Sequence, residues 1–363
     1  MNFNFPLLKP IRIILFPFSL IYFVAIYIRN RFYDKKLLPS QSFGLPIICV
    51  GNIAVGGTGK SPMVEFLVRE LGNDYRLATL SRGYKRKTRG YVLADDNTTA
   101  LDIGDEPMQF HLKFPELAVA VGEERIAAVP QLLHDRPDTR AIILDDAFQH
   151  RAITAGYNIV LTDYNNLYSR DWYLPTGDLR DEKSSVHRAD TIVVTKCPPD
   201  LSPEEATAIR EELNPLPSQK IFFATIRYGA LYHIIHQSTT VITNDVEVLL
   251  VTGIANPRPI KKILTDQTLS YEQMVYSDHH IFTIDDLNDI AKRFAQITAK
   301  QKIILTTEKD AVRLVKFSRE LKDLPVFVLP IEMQFLFGDT DRFSHLIGTF
   351  IAQFSPIATA SNE

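Results

Sequence analysis

The residues best equipped for chemistry lie in one short segment, Ala54–Ser61, with the sequence AVGGTGKS. Except for alanine at its first position, this segment fits the phosphate-binding loop pattern, in which glycines let backbone N–H groups approach phosphate oxygens. Lys60 would then reach the outer phosphates, and the Ser61 hydroxyl would ligate Mg²⁺. The alternative is a glycine-rich turn that happens to precede Lys-Ser. We predict contacts to a nucleoside triphosphate at Val55, Gly56, Gly57, Thr58, Gly59, Lys60, Ser61 and Pro62.

A second group of candidate residues follows the apolar run Ala141–Leu144, which predicts a buried strand. Asp145 and Asp146 end this run, where one of them could hold Mg²⁺ directly and the other through water. An ordinary turn is the alternative, because aspartate is common after strands. Gln149 and His150 lie just beyond, where open parallel sheets place their ligands. An exposed loop is the other interpretation of these two residues.

Two neighbouring carboxylates, Asp105 and Glu106, precede Pro107, which can begin a helix. At that end of a helix the dipole favours an ionised carboxylate. Capping of the helix would explain both acids without any catalytic role. The functional interpretation is a general base that takes a proton from an acceptor hydroxyl or orients it, as a phosphotransferase requires.

Cations are concentrated in residues 82–89, which carry five of them and no acid. Such a run is usually a solvated loop. Arg82 and Tyr84, however, follow a predicted strand near the phosphate-binding segment, where the run could bind an anionic group of the acceptor or lipid headgroups. Arg125 and Arg180 are further candidate phosphate contacts, although an isolated arginine is more often a surface residue.

The tightest cluster of titratable side chains in the second half of the chain is Ser277–His280. Two adjacent histidines suggest a metal, but neighbours on a strand point to opposite faces and no third His or Cys lies nearby. A structural, hydrogen-bonded histidine is one alternative. A histidine that meets an active-site carboxylate across a domain cleft is the other.

Length and composition exclude several classes of protein. At 363 residues the chain is long for one domain and suits two, and its formal net charge of −3 argues against a general nucleic-acid binder. Cys49 and Cys197 lie far apart in apolar runs, so the sequence predicts neither a disulfide framework nor a cysteine metal site. We therefore expect a reducing, cytosolic environment and no nucleic-acid partner.

An uncharged apolar segment, residues 13–28, lies near the N-terminus and is interrupted by Pro17. Its sixteen residues fall short of the roughly twenty that span a bilayer. Lysines and arginines flank it on both sides, and this combination is typical of a helix that lies in the membrane interface. A helix buried in the core, a signal peptide and a spanning helix are the alternatives.

After this segment, short β-type runs alternate with helical stretches, which predicts an α/β fold with a doubly wound, mainly parallel sheet like that of P-loop NTPases. Two β-type runs around Gly229 predict a hairpin between domains. The predicted division is an N-terminal membrane-interface helix at 1–36, a P-loop core domain at 37–220, a hairpin linker at 221–236, a second, smaller αβ domain at 237–350 and a tail at 351–363.

The predicted strands differ in number between the two domains. In the core domain they lie at 47–50, 76–80, 117–121, 141–144, 158–161 and 191–195, and in the smaller domain at 248–252, 302–306 and 325–328.

Eight motifs, in order from residue 55 to residue 310, together resemble the tetraacyldisaccharide 4'-kinase family. They are VGGTGKSP, SRGY, GDEP, DDAFQH, GDLR, VTGIANP, DHH and TTEKD, and the resemblance covers nearly the whole chain. Such a series is far more specific than a phosphate-binding loop alone. The resemblance implies a P-loop domain, an N-terminal membrane-contacting helix and a smaller αβ domain joined through a two-stranded linker.

The resemblance also implies an activity and a location. Members of the family transfer the γ-phosphate of ATP to the 4'-hydroxyl of a lipid A disaccharide 1-phosphate at the cytoplasmic face of the inner membrane. Lys60 and Ser61 are then implied to serve ATP and Mg²⁺. Asp145 and Asp146 are implied to serve the metal.

The remaining roles are carried over in the same way. Asp105 matches the family's proposed base, paired with the first histidine of the DHH motif, His279. Arg180 is a candidate for offsetting charge on the transferred phosphoryl group. Two departures are Asp181, where many relatives have Glu, and Ala147, which replaces a frequent Gly. Positions that match other active-site residues of the family are Glu106, Tyr84, Arg125, Gln149, His150 and Arg180.

A membrane-peripheral P-loop switch, which slowly hydrolyses nucleotide to regulate a partner, is the rival hypothesis. It leaves Asp105 and His279 unexplained. A non-catalytic scaffold would require ATP binding without turnover. Measuring ATP consumption with and without a lipid acceptor separates the kinase from the switch.

Overall fold

Runs of apolar and β-branched residues form the strands of two sheets in the computed structural model, which describes residues 9–355. Residues 1–8 of the predicted N-terminal segment and residues 356–363 of the predicted tail lie outside this range. In chain order the strands are β1 Ile47–Asn52, β2 Leu77–Ser81, β3 Val92–Leu93, β4 Ala118–Val121, β5 Ala141–Asp145, β6 Tyr157–Asp163, β7 Thr191–Thr195, β8 Lys220–Tyr228, β9 Leu231–His233, β10 Thr239–Thr240, β11 Val246–Thr252, β12 Ser270–Val275, β13 Gln301–Thr307, β14 Val326–Leu329 and β15 Ile331–Phe335.

Helices alternate with these strands along most of the chain. Two short 3₁₀ helices, Lys183–Arg188 and Val315–Phe317, accompany them. The α-helices are α1 Lys9–Ile14, α2 Phe16–Asp34, α3 Lys60–Leu71, α4 Ala100–Ile103, α5 Asp105–Lys113, α6 Arg125–Asp135, α7 Pro203–Leu213, α8 Arg258–Gln267, α9 Ile284–Gln296, α10 Glu308–Leu314, α11 Ser318–Leu321 and α12 Thr340–Gln353.

The larger sheet has the strand order β15-β8-β7-β6-β1-β5-β2-β4-β3 and is parallel except at its two edge strands. Helices pack on both faces, because the strand side chains are apolar on both sides. Strand β1 lies at the centre, with Val50 opposite Asp145 of β5. The carboxyl ends of parallel strands meet at one edge, so the loop after β1 begins beside the acidic end of β5.

The smaller sheet has the order β10-β9-β14-β13-β11-β12, with four parallel strands and an antiparallel pair at one edge. Its two faces bury separate apolar clusters, one containing Leu287 and Phe294 of α9 and the other Ile260 and Leu264 of α8. The predicted mixed α/β class with a large parallel sheet is confirmed by the likeness to a solved structure reported below.

The predicted hairpin at 221–236 is wrong. Strand β8 pairs with β7 and β15 in the larger sheet, whereas β9 pairs with β10 and β14 in the smaller one. The short Gly229 connection therefore carries the chain from one sheet to the other instead of folding it back on itself. The two-stranded connection between the sheets is formed by β8 with β15, whose residues are about a hundred positions apart.

The C-terminal part of the predicted smaller domain also packs elsewhere. Strand β15 joins the larger sheet, and Phe343, Ile347 and Ile351 of α12 are buried in the core beside Met63 of α3. The cause is the apolar stripe of α12, which has no open face on the smaller sheet to cover. In the structure the smaller sheet and its helices thus lie between residues 231 and 329.

The N-terminal helix α2 presents two uncharged polar side chains, Ser19 and Asn30, to the protein and most of its apolar side chains to the outside. Ser19 and Asn30 are buried, while Phe18 is 61% exposed and Ile21 is 68% exposed. Ser19 donates to the carbonyl oxygen of Tyr173 at 3.0 Å. Within residues 9–355, no helix combines the length and apolar character that crossing a membrane requires. A helix buried in the core, one of the alternatives for this segment, is excluded by the exposed side chains.

Two buried carboxylates and one half-buried lysine join the helices that carry the candidate site. The Lys113 ammonium donates to the carboxylates of Glu65 and Glu308, each at 2.6 Å. These residues lie on α5, α3 and α10, respectively. Burial, together with the nearby Glu308 carboxylate, raises the pKa of Glu65 above its usual range despite the contact with Lys113. One lysine thus serves two buried carboxylates, and the folded protein favours a proton on Glu65.

This arrangement predicts an unusual pH dependence of stability. The pKa of Glu65 is higher in the folded than in the unfolded chain, so its contribution to stability is largest at low pH and is lost as pH rises through the folded pKa. A glutamine side chain at this position would carry no charge at any pH. The difference in free energy of unfolding between Glu65→Gln and wild type should therefore shift in favour of the variant by about 1–3 kcal/mol when the pH is raised from 5 to 8.

Urea denaturation at both pH values measures this difference. Glu70→Gln on the more exposed part of the same helix serves as the control, and its stability relative to wild type should not change with pH in this way. Equal pH dependence in Glu65→Gln and wild type would show that Glu65 is ionised in the folded chain.

Candidate active site

The glycine-rich segment forms the loop between the central strand β1 and helix α3. Gly56 and Gly59 have φ angles of 105° and 88°, which residues with a Cβ rarely adopt, so the backbone course depends on these glycines. Thr58 is buried, and its hydroxyl accepts a hydrogen bond from Asn52 Nδ2 at 2.7 Å. Lys60 and Ser61 begin α3, where the first N–H groups have no partner inside the helix and can bind an anion.

A cluster of opposite charges lies beside this loop. Lys60 Nζ is 3.7 Å from Asp146 Oδ1, and Arg180 donates to both carboxylate oxygens of Asp146. Arg180 also donates to Asn52 Oδ1 at 2.5 Å. Although burial acts in the opposite direction, Lys60 and Arg180 hold the pKa of Asp146 below its usual range. Asp146 is therefore ionised at neutral pH and engaged with two cations.

The neighbouring Asp145 has a different environment. Its side chain is 2% exposed, and its Oδ1 atom has no hydrogen-bond partner within the described part of the chain. Burial raises the pKa of Asp145, and the nearby carboxylates of Glu106 and Asp146 raise it further. Buried carboxylate oxygens are rarely left unsatisfied, so this atom has the properties expected of a ligand to a cation.

Glu106 links this cluster to helix α5. The Ser61 hydroxyl donates to Glu106 Oε1 at 3.2 Å, which brings the start of α3 against the start of α5. Hydroxyl and carboxylate oxygens are the donors that Mg²⁺ prefers, and Ser61 and Asp145 provide two of them. Within residues 9–355, no group of three or more His, Cys, Asp or Glu side chains could hold a metal by itself.

Asp105 and His279 meet although they are far apart in sequence. His279 Nδ1 lies 2.6 Å from Asp105 Oδ2, across the gap between the two sheets. Arg313 of α10 holds the same carboxylate through two donors, one of them 2.6 Å from Oδ1. Burial alone would raise the pKa of Asp105, but the hydrogen bonds from His279 and Arg313 lower it below its usual range. Asp105 caps no helix end, so the capping interpretation does not explain it.

The backbone around His279 is shaped to aim its ring at Asp105. His279 adopts a φ angle of 63° in the loop between β12 and α9, and its N–H donates to the carbonyl oxygen of Gly253 at 3.3 Å. Lys309 Nζ lies 3.2 Å from His279 Nε2. His280 points elsewhere, with Nε2 3.0 Å from Asp286 Oδ2. The two histidines therefore share no metal site.

Three further buried side-chain nitrogens around Asp145 and Asp146 have no hydrogen-bond partner among the described residues. They are Arg125 Nε, His150 Nε2 and Arg180 Nε. Burial, and then the charge of Arg125, lowers the pKa of His150 to about 4, so its imidazole is neutral at physiological pH. Unsatisfied donors next to an unsatisfied carboxylate oxygen are the feature expected of a cleft that binds a polar ligand.

The basic segment 82–89 is only partly available to a ligand. Arg82 and Tyr84 are exposed, and the Tyr84 ring meets the His279 ring edge-on at a centroid distance of 6.1 Å. Arg86, in contrast, is turned inward and pairs with Glu123 at 2.7 Å. One of the five cations therefore stabilises the loop.

Gln149 and Asp181 act inside the protein. Gln149 Nε2 donates to the carbonyl oxygen of Asn52 at 2.8 Å and lies 3.4 Å from Asp181 Oδ2. Asp181 is 1% exposed and accepts hydrogen bonds from Asn30 of α2 at 2.9 Å and from Ser185 at 2.9 Å. Asp181 thus fastens the N-terminal helix to the edge of the site, whereas the predicted substrate contact at Gln149 stays a prediction.

Three residues of this cluster escaped the sequence analysis: Asn52, Lys309 and Arg313. Asn52 lies two positions before the glycine-rich segment and binds both Thr58 and Arg180. Lys309 belongs to the TTEKD motif, to which the sequence analysis gave no role, and Arg313 follows it by one helical turn. Lys309 and Arg313 share one weak sequence signal, their i, i+4 spacing, whereas no signal in the sequence pointed to Asn52.

Comparison with known proteins identifies the family of the chain. The tetraacyldisaccharide-1-P 4'-kinase family model matches residues 11–352. Tetraacyldisaccharide 4'-kinase from Bacteroides thetaiotaomicron is 43% identical over 350 residues, which cover 92% of each chain. The enzyme of that name from Flavobacterium johnsoniae is 45% identical over 327 residues, covering 90% of this chain and 93% of the relative.

A solved structure shows the same fold. The crystal structure of LpxK from Aquifex aeolicus in complex with ATP matches with a TM-score of 0.74 and 26% sequence identity, covering 94% of this chain and 99% of that one. The resemblance drawn from the eight motifs is thereby confirmed. The chain belongs to the tetraacyldisaccharide 4'-kinase family.

Proposed function

We propose that this chain transfers the γ-phosphate of ATP to the 4'-hydroxyl of a tetraacyldisaccharide 1-phosphate, a lipid A precursor. Membership of the family supports the reaction class. The observation that carries the proposal is the 3.2 Å contact between Ser61 and Glu106. Through it, a glycine-rich, phosphate-type loop lies beside the helix end that bears Asp105, so a nucleotide on one side would face a hydroxyl on the other.

The loop at 54–61 is proposed to cradle the phosphates. Its backbone follows the positive φ angles that glycine permits, and α3 points its N-terminus at the same place. Lys60 would contact the outer phosphates after exchanging its contact with Asp146. Arg180, held by Asp146 and Asn52, would offset charge on the transferred phosphoryl group.

Mg²⁺ fits the oxygen donors at this place. Ser61 and Asp145 would hold it, with Asp146 close by, and phosphate and water oxygens would complete the coordination that these two side chains leave open. When bound, the ion neutralises charge between the β- and γ-phosphates. The unpartnered Oδ1 of Asp145 supports this assignment.

On the acceptor side, Asp105 is proposed to orient the sugar hydroxyl and accept its proton, with His279 as its partner. The contact of 2.6 Å between them and the ionised state of Asp105 support these roles. Exposed Arg82 and Tyr84, together with Arg125 and His150 near the acidic pair, are proposed to bind the anionic substrate.

An assay with γ-labelled ATP and a tetraacyldisaccharide 1-phosphate in detergent tests the reaction. We expect label in the lipid and ATP consumption that depends on the acceptor. Nucleotide binding without label in the lipid would refute the kinase. ATP hydrolysis at the same rate with and without acceptor would favour the nucleotide-dependent switch.

We further propose that α2 lies on the cytoplasmic face of a bacterial inner membrane. The support is the pattern of burial in α2, which exposes large apolar side chains and buries Ser19 and Asn30. Trp172, at 58% exposure, packs edge-on against Phe16 at a centroid distance of 5.6 Å and extends the apolar surface. Arg29 and Arg31 at the end of α2 would contact anionic headgroups.

A single substitution in this surface should weaken binding to lipid. Ile21→Asp removes an apolar side chain and adds a charge, so we expect at least about a tenfold loss in partitioning onto vesicles of phosphatidylethanolamine and phosphatidylglycerol. Val241→Asp is the matched control, because Val241 is 66% exposed in the part of the chain around the smaller sheet. Flotation measures binding, and the emission of Trp172, the one tryptophan of the chain, should shift to the blue with lipid.

Two results would contradict the proposal that α2 contacts the membrane. Equal losses in Ile21→Asp and Val241→Asp, or no blue shift of wild-type emission on lipid, would show that α2 is not the membrane contact. Neither result would bear on the phosphotransfer itself, which is assayed in detergent.

A further inference from the structure

We propose that helix α10 carries two positioning residues for the reaction, Arg313 and Lys309, which fix the geometry of the Asp105–His279 pair from the opposite side of the gap. This inference rests on the proposed phosphotransfer to a hydroxyl. It also explains why the reaction needs the part of the chain around the smaller sheet. Helix α10 of that part determines which oxygen of Asp105 can accept a hydrogen bond from the substrate and which nitrogen of His279 carries the proton.

Arg313 decides how the Asp105 carboxylate is used. A carboxylate offers about four lone-pair positions. Oδ2 receives His279 Nδ1 and an Arg313 Nη atom, while Oδ1 receives Arg313 Nε at 2.6 Å. One position on Oδ1 is left, and the planar arginine fork fixes its direction. That position is where the acceptor hydroxyl would bind.

Lys309 decides where His279 carries its proton. An ammonium group has three donors and no acceptor, so a contact of 3.2 Å from Lys309 Nζ to Nε2 requires that Nε2 accept. Arg313 Nη2 also lies 3.1 Å from Nδ1, but Nδ1 has only one site in the ring plane, and the shorter contact of 2.6 Å with the Asp105 carboxylate occupies it. The proton of the neutral ring then resides on Nδ1 and points at Asp105. Asp278 Oδ1 accepts from Lys309 Nζ at 3.1 Å and keeps the ammonium in place, while Asp278 Oδ2 lies 3.7 Å from His279 Nε2, beyond hydrogen-bond distance.

The two cations can act together because α10 is held at its start. Lys309 and Arg313 are one helical turn apart and share a face. The buried Asp310 carboxylate accepts from the N–H of Gly253 and from the Thr307 hydroxyl, which ties the first turn to the end of β11. Glu308 accepts from Lys113 at the far end of α5, whose first residue is Asp105. Helix α10 is thereby docked on the helix that bears the residue it positions.

Two substitutions of Arg313 separate charge from geometry. Arg313→Gln removes the cation, so we expect turnover in the labelled-ATP assay to fall by about 10- to 100-fold. The charged groups that face Asp105 are Arg313 and His279, and loss of the first raises the pKa of Asp105. Activity needs the ionised form, so the acid limb of the pH–rate profile should move upward by about one unit or more. Arg313→Lys should keep the limb near its wild-type position and recover part of the turnover.

A merely structural role would lower activity without moving the acid limb, and that result would overturn the proposal for Arg313. A double variant gives a second criterion. If Arg313 acts through Asp105, then Arg313→Gln costs little in an Asp105→Asn background. Full additivity of the two losses would place Arg313 outside the mechanism.

The histidine tautomer is measured without any activity, so this part does not depend on the assay. In ¹⁵N spectra of the full chain, assigned with His279→Asn, we expect wild-type Nδ1 to be protonated and Nε2 not. Lys309→Met should populate the other tautomer, whereas Lys322→Met, an exposed lysine beyond the helix, should change nothing. Identical His279 signals in wild type and Lys309→Met would overturn the role of Lys309. If wild-type protein transferred no label to lipid, the phosphotransfer would be refuted. The ¹⁵N result would still show whether Lys309 determines the tautomer of His279.

Discussion

Replacing Lys60 by alanine is expected to lower turnover by about 10³-fold or more. Lys60 begins α3 beside the glycine-rich loop, and its side chain is 14% exposed. A cation in such a poorly solvated place interacts strongly with the charge that develops on a transferred phosphoryl group. Water cannot replace this interaction when the Lys60 ammonium is removed. Steady-state transfer of label from ATP to the lipid acceptor measures the effect.

The fold should survive this change. Asp146 keeps its two hydrogen bonds from Arg180, so no buried charge is left without a partner. Lys262→Ala on α8 makes the same change of side chain at an exposed position and is expected to leave turnover within a factor of two. A Lys60→Ala protein that retained a tenth or more of wild-type turnover would remove Lys60 from the mechanism.

Replacing Asp105 by asparagine is expected to lower turnover by about 10²- to 10⁴-fold while ATP affinity stays broadly intact. The pKa of Asp105 lies below its usual range, so the carboxylate is ionised throughout the neutral range and can accept a proton or orient its donor. Asparagine keeps the shape but loses the charge. His279→Ala should lower turnover as well, and the double variant should lose little more than Asp105→Asn, because the two residues act as a unit.

The matched control is Asp285→Asn, an exposed acid in the first turn of α9. It repeats the loss of a carboxylate near a helix N-terminus without touching the candidate site. Nucleotide titration and lipid phosphorylation are measured on the same preparations. Wild-type turnover in Asp105→Asn would return Asp105 to the structural interpretation.

The parallel sheet could be predicted from the sequence because its signals are local. Strand β7 coincides with the predicted 191–195, and β1, β2 and β5 differ from prediction by one or two residues at their ends. Each is a run of four to eight mostly apolar residues, and that length favours a strand buried on both faces over a buried helix.

The hairpin at 221–236 failed for the opposite reason. Two β-type runs around Gly229 carry the local signal of a tight turn, but pairing is decided by the partners that a strand meets in space. The antiparallel partner of β8 is β15, which was not predicted as a strand. A local signal holds no information about a pairing across so long a stretch of chain.

The residues of the candidate site also differ in whether a local sequence signal identifies them. The loop at 54–61 and the acids at 145 and 146 were found because each follows a strand directly. His279 had three interpretations in the sequence, and the contact with Asp105 distinguishes them only in three dimensions. Arg313 had no motif that pointed to it, because a single arginine acquires meaning only from the carboxylate it meets.

The chain leaves the larger sheet after β8 and returns to it at β15, and the Gly229 N–H donates to the Pro330 carbonyl oxygen at 3.1 Å. A segment whose two ends lie side by side has the geometry of a domain inserted into a surface turn of another domain. The larger sheet and its helices carry the residues proposed to bind the nucleotide, and the inserted segment carries His279, Lys309 and Arg313. Under the proposed mechanism neither part holds a complete set of catalytic groups, and the set forms only where the inserted segment packs against the larger part.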